Sequence, residues 1–129
     1  RIIDDLMEMH FGAWEGLTGA EARATDPETF RRVFDEGRDE PRGGTGETFA
    51  DAGERLRAAA AALAANESGS VGVFTHGGVT RAYVARLLAI PYAERNVIPI
   101  PRNTAHCDVI YGGSGPRISS YNVAAHLGD

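Results

Sequence analysis

The chain has 129 residues, is 43% hydrophobic, and carries 13 basic against 18 acidic residues for a formal net charge of −5. That length fits one domain, and the acidic balance argues against a general nucleic-acid or anionic-membrane surface. No run approaches the roughly 18 apolar residues of a membrane span. The one cysteine, Cys107, has no internal disulfide partner and sits in an alternating run that reads as a half-buried strand, so a cytoplasmic setting is expected. All 13 basic residues are arginine, which excludes Schiff-base lysine chemistry and a lysine-bearing phosphate loop.

In chain order, residues 2–9 read as a strand or extended lead-in, and residues 11–16 as a glycine-rich turn holding Phe11 and Trp14 in a packed cluster. Thr18 with Glu21 forms a capping box that starts a short helix. Pro27 opens a second helix to about Glu36, with Phe30, Val33 and Phe34 on one apolar face. Residues 37–46 read as a polar loop of a length that often carries function. Thr48 with Asp51 starts a longer helix with a stripe of Phe49, Ala52, Leu56, Ala59, Ala60 and Leu63. Residues 71–75 read as a buried strand, residues 79–89 as a helix stopped by Ile90-Pro91, and residues 97–101 as an extended, proline-broken stretch. Residues 105–111 and 118–123 read as two strands joined by a Gly-rich hairpin turn. Alternating helices and strands followed by a hairpin indicate an α/β sandwich with a mixed sheet.

Two places can carry chemistry. In Val71-Gly72-Val73-Phe74-Thr75-His76-Gly77-Gly78-Val79-Thr80 an apolar run ends in a histidine, then two glycines, then a helical pattern. This places His76 at the end of a strand and beside a helix N-terminus, where backbone N–H groups favour anions and phosphate above all. A histidine there suits proton or phosphoryl chemistry near neutral pH; the alternative is a turn histidine that only ends a strand. In Gly46-Glu47-Thr48 a carboxylate follows a glycine-rich loop and precedes a helix. Glu47 is either a partner of the helix dipole or a general acid presented to a crevice, able to protonate a leaving alkoxide.

Glu8 and Glu15 read as groups that orient backbone and arginine partners. No two of His10, His76, His106 and His126 stand at i, i+2 or i, i+4, so no metal site is expected. His126 reads as a structural hydrogen-bonder. The arginines of the 10–45 stretch, Arg23, Arg31, Arg32, Arg38 and Arg42, read mainly as solvated, with any of them free to meet a second anionic group of a substrate.

Together Leu6-Met7-Glu8, the block from Phe11 to Thr18, Gly46-Glu47-Thr48, Thr75-His76-Gly77-Gly78-Val79, Asn103-Thr104, Tyr121-Asn122 and His126-Leu127 resemble the histidine phosphatase superfamily, the phosphoglycerate mutase-like fold. Within it they resemble the broad-specificity and α-ribazole phosphatase branch. The resemblance implies a three-layer α/β/α sandwich and a phosphomonoester hydrolase working through a phosphohistidine. It implies that His76 is the second histidine holding the phosphoryl oxygens, that Glu47 is the proton donor, and that the Gly77 N–H faces phosphate. No cofactor and no metal are implied. The expected ligand is a small phosphate ester or inorganic phosphate, with no nucleic acid and no membrane partner; a homo-oligomer is compatible with it.

The sequence departs from the family in one respect. The nucleophile of the family lies in an Arg-His-Gly motif after the first strand, followed by a segment bearing a second arginine, and neither occurs here. The expectation is therefore that residues 1–129 are the C-terminal portion of a single histidine phosphatase domain, lacking the N-terminal strand or strands, with the nucleophile upstream. Phosphoglycerate mutase-type phosphoryl transfer is the alternative, as is a non-catalytic phosphate-binding or interaction protein should the chain be complete.

Overall fold

The computed structural model describes residues 1–128; Asp129, the end of the expected 1–129 domain, lies outside them. Helix α1 (Gly19–Thr25) starts at the expected box: the Thr18 hydroxyl accepts from Glu21 N, and Glu21 Oε2 accepts from Thr18 N at 2.8 Å. Helix α2 (Pro27–Phe30) has Asp26 as its cap and proline in its first turn, and runs on as one wide turn over Arg31–Asp35. Val33 on that turn is fully buried. Phe30 and Phe34 lie 5.7 and 6.0 Å from the ring of Trp14, itself buried, while Phe11, expected to cluster with Trp14, packs at the margin of the same core.

Helix α3 (Phe49–Asn66) is capped twice. Thr48 Oγ1 accepts from Asp51 N at 3.0 Å, and the Asp39 carboxylate accepts from Phe49 N and Ala50 N at 2.7 and 2.8 Å. These bonds satisfy N–H groups that a helix start leaves without partners. Its stripe of Phe49, Ala52, Leu56, Ala59 and Leu63 is buried, with Ala60 packed at its margin. It packs on α4 (Gly77–Leu87), whose Val79, Ala82, Tyr83, Val84 and Ala85 are buried in the same core. The two helices approach closely at Gly53, where a Cβ would come within 2.5 Å of Ala82 O. Strands β1 (His106–Gly112) and β2 (Gly115–Val123) form an antiparallel hairpin whose Gly112 pairs with Gly115 across a two-residue turn. The Tyr83 and Tyr111 hydroxyls, 2.8 Å apart, tie α4 to β1. Cys107 is half-buried on β1 and burial pushes its thiol up, which suits a strand residue and not a nucleophile.

Residues 71–75 differ from expectation. They are extended but pair with no strand among the described residues, and they are not buried: Phe74 is 97% exposed, with Val71 and Val73 also open. Apolar alternation and β-branched residues dictate an extended backbone, yet a strand needs a neighbour to take its ladder bonds, and the only sheet among the described residues is the β1–β2 hairpin. One side-chain bond anchors the segment, from Thr75 Oγ1 to Leu6 O at 2.5 Å. Residues 2–9 likewise form no strand but an extended lead-in with one turn at Asp4–Leu6. No described helix is long and apolar enough to cross a membrane.

Candidate active site

Glu47 is placed by a crossing of two glycine turns. Gly12, at φ +57°, and Gly46 meet so closely that a Cβ on either would strike the opposing backbone. Only glycine tolerates that approach together with a left-handed backbone. The crossing brings Glu47 N to His10 O at 2.8 Å, and His10 N donates back to Glu47 Oε2 at 3.0 Å. Thr48 then caps α3, so the Glu47 carboxylate is fixed from both sides.

Arg55, one and a half turns into α3, meets it. Arg55 Nε donates to Glu47 Oε1 at 2.7 Å and Nη2 to Oε2 at 2.8 Å, a two-pronged pair in which each side chain is about one-fifth exposed. Nη1 donates to Asp5 O and Met7 O at 2.8 and 3.1 Å, and Nη2 to Glu8 O at 3.3 Å. The Arg55 hydrogen bonds hold the Glu47 carboxyl below the usual carboxylate range; burial opposes this, and the His10 N–H adds to it. The sequence reading did not single out Arg55, because an arginine on a helix face looks like any solvated arginine.

His76 is the extended residue before α4, with no side-chain cap bond of its own, and it is exposed. Glu8 supplies the cap: its Oε2 accepts from Gly78 N at 3.0 Å and its Oε1 from Val79 N at 2.7 Å. An anion does sit at this helix start, and it is the protein's own carboxylate. This is why α4 begins at Gly77, two residues before the expected start. A Cβ on Gly78 would fall 2.7 Å from Glu8 Oε1, so the glycine pair keeps that seat open. Glu8 thus orients backbone, as expected, and so does Glu15, which accepts from Phe11 N at 2.6 Å.

The two candidate groups are linked through one short segment. Met7 and Glu8 give carbonyls to the arginine that holds Glu47, and Glu8 gives its carboxylate to the helix that His76 opens. Beside it lies a cavity of about 320 Å³ whose walls include Glu8, His10, Glu47 and Arg55; His76 is not part of that lining. The late segments stand apart: Asn122 Oδ1 accepts from Arg102 N at 2.8 Å, and His126 faces Thr104 at 3.5 Å, a structural contact as expected. Of the loop arginines, Arg23, Arg32 and Arg38 pair with Asp35, Glu40 and Glu36. Arg42 departs from expectation. It is 2% exposed, bound to Asp39 at 2.8 Å and stacked on the Tyr92 ring at 4.5 Å.

A model of the histidine phosphatase superfamily, branch 1, matches residues 1–124. The chain belongs to that superfamily. Among relatives of this histidine phosphatase chain, a metal-independent phosphoserine phosphatase of Arabidopsis thaliana is 35% identical over 86 residues, 66% of this chain and 36% of the relative. A bifunctional protein of Mycobacterium tuberculosis is 52% identical over 54 residues, 42% of this chain and 14% of that protein. Among solved structures, Bacillus stearothermophilus YhfR superposes with a TM-score of 0.78 at 26% identity, covering 97% of this chain and 62% of that one. A mycobacterial glucosyl-3-phosphoglycerate phosphatase in complex with VO3 gives 0.75 at 28% identity, covering 96% and 65%. This histidine phosphatase chain therefore spans under two thirds of the length of these relatives, and its fold class is the expected α/β, phosphoglycerate mutase-like one.

Proposed function

We propose that the protein hydrolyses small phosphate monoesters through a phosphohistidine. In this reading a histidine from an Arg-His-Gly segment outside these 129 residues attacks phosphorus, and the bond from phosphorus to the leaving oxygen breaks. Glu47 gives that oxygen its proton. Water then attacks phosphorus, Glu47 takes the water's proton, the phosphorus–nitrogen bond breaks, and inorganic phosphate leaves. His76 and the Gly77 N–H hold the phosphoryl oxygens, whose charge in the transition state is stabilised by fixed donors. Splitting the displacement into two steps is the advantage of the covalent route.

The observation that carries the reading is the tether just described: one segment, Met7 and Glu8, secures both the arginine on Glu47 and the helix start after His76. A proton donor and a phosphate holder need such mutual fixation. The phosphatase relatives favour hydrolysis over transfer to a second substrate.

The test is the dependence on leaving group. Glu47→Gln should slow β-glycerophosphate, whose alkoxide needs a proton, by about 10²–10⁴-fold. It should slow p-nitrophenyl phosphate much less, while inorganic phosphate still binds. His76→Ala should weaken phosphate binding and turnover together. Equal, near-wild-type rates on β-glycerophosphate in both variants refute the assignment.

A further inference from the structure

Resting on the reading of Glu47 as proton donor, we propose that Arg55 is the positioning residue through which Glu47 works, clamping both of its oxygens and pinning it to the backbone of Asp5, Met7 and Glu8. A guanidinium has five N–H donors, and Arg55 commits all five: one from Nε to Glu47, two from Nη1 to Asp5 O and Met7 O, and two from Nη2 to Glu8 O and Glu47. A solvated helix-face arginine has no such set of acceptors, which come from residues 8 to 50 positions away. The fork fixes the carboxylate in plane as well as in place. It also joins Glu47 to the segment that caps α4 behind His76.

The charged surroundings of Glu47 are few. Arg55 faces it from α3 and His10 from the lead-in, while Asp5 and Glu8 act on Arg55 from the other side. Removing the guanidinium should therefore let Glu47 keep its proton to higher pH and let the carboxylate swing. Lysine, a point charge with three donors, can pair with one carboxylate oxygen but cannot reproduce the fork and the three carbonyl bonds.

The experiment compares Arg55→Met, Arg55→Lys and Glu47→Gln in the full-length protein, with the Arg55→Met/Glu47→Gln double variant, after thermal melts show that each is folded. Two readouts are taken: the Glu47 carboxyl titration by carbon-13 NMR, which needs no turnover, and kcat and KM on β-glycerophosphate against pH. Arg55→Met should raise the Glu47 midpoint and move the basic limb of kcat upward. It should lower kcat about 10- to 100-fold with little change in KM, a smaller loss than removing the general acid itself, which contributes about 10²–10⁴-fold. Arg55→Lys should recover part of both. In the Glu47→Gln background Arg55→Met should cost nothing further, since two residues acting through one group are not additive. A Glu47 midpoint unmoved by Arg55→Met, or losses that add in the double variant, overturns the role of Arg55 while Glu47→Gln remains slow. Near-wild-type kcat in Glu47→Gln instead overturns the donor reading, and the positioning role with it.

Discussion

Glu8 Oε1 accepts the backbone N–H of Val79 at 2.7 Å, across 71 positions of sequence, while the other oxygen of the same carboxylate takes Gly78 N at 3.0 Å. A residue of the lead-in is thus the N-terminal cap of a helix that begins far downstream. Glu8→Ala should destabilise the fold by about 1–3 kcal/mol, because it leaves two half-buried N–H groups and a favourable dipole contact without a partner. Glu8→Gln, which keeps an acceptor but loses the charge, should cost less. Urea unfolding of the two variants checks the order.

The glycine crossing should be intolerant of any side chain. Gly12→Ala should cost about 2–4 kcal/mol, combining the left-handed backbone penalty with a collision against Arg42 O and Gly46 N. Gly16 has φ +76° but open space around its Cβ position, so Gly16→Ala should cost only about 1–2 kcal/mol. The difference between the two isolates the crossing, and comparing their unfolding midpoints measures it.

Acid should unfold the protein through its arginine-held carboxylates. Glu54, bonded to Arg57 and then to Arg86, is held at about 2, and Glu47, bonded to Arg55, is also lowered. A carboxyl whose proton affinity is lower folded than unfolded stabilises the fold above its unfolded value, about 4.3 for glutamate, and loses that contribution as pH falls toward its folded value. Thermal midpoints should therefore be flat at neutral pH and fall from about pH 4.3 downward. Glu54→Gln should shallow that decline in a pH series of melts; an unchanged slope would count against Glu54 as a contributor.

One hydrogen bond between helix α4 and the hairpin joins the Tyr83 and Tyr111 hydroxyls. Burial pushes the Tyr83 hydroxyl well above its ordinary range, and its bond to Tyr111 acts in the same direction. Tyr83→Phe should cost about 1 kcal/mol. It should also speed amide exchange in β1 relative to α3, which hydrogen-exchange measurement would detect.

Much of this was legible in the sequence where the physics is local. The Thr18–Glu21 box, the proline at the start of α2, the Thr48 cap, the α3 stripe and the glycine hairpin are each decided by residues within a few positions, and each stands where the pattern places it. What the sequence hid depends on distant partners. Residues 71–75 have a strand's composition, but pairing belongs to a neighbour and not to the segment. Arg55 does not stand out because its carbonyl acceptors lie some 50 positions away, Arg42 reads as solvated because the Tyr92 ring that covers it comes from a distant segment, and helix α4 starts early because Glu8 reaches it from the lead-in. The roles proposed for Glu47, His76 and Gly77 come from the family resemblance; the geometry adds what fixes Glu47 and what caps the helix that follows His76.

The reciprocal bonds between His10 and Glu47 have a consequence for how such a protein can change. They close the stretch between those residues into a lobe that is pinned at its base. Closing entropy grows only slowly with the length of such a lobe. Provided the Gly12–Gly46 crossing and the Asp39 cap on α3 are kept, its outer helices and their exposed arginines can be lengthened, shortened or rewritten without dragging the glutamate from its seat. The clasp divides the chain into a part free to acquire new substrate preferences and a part that must keep its register.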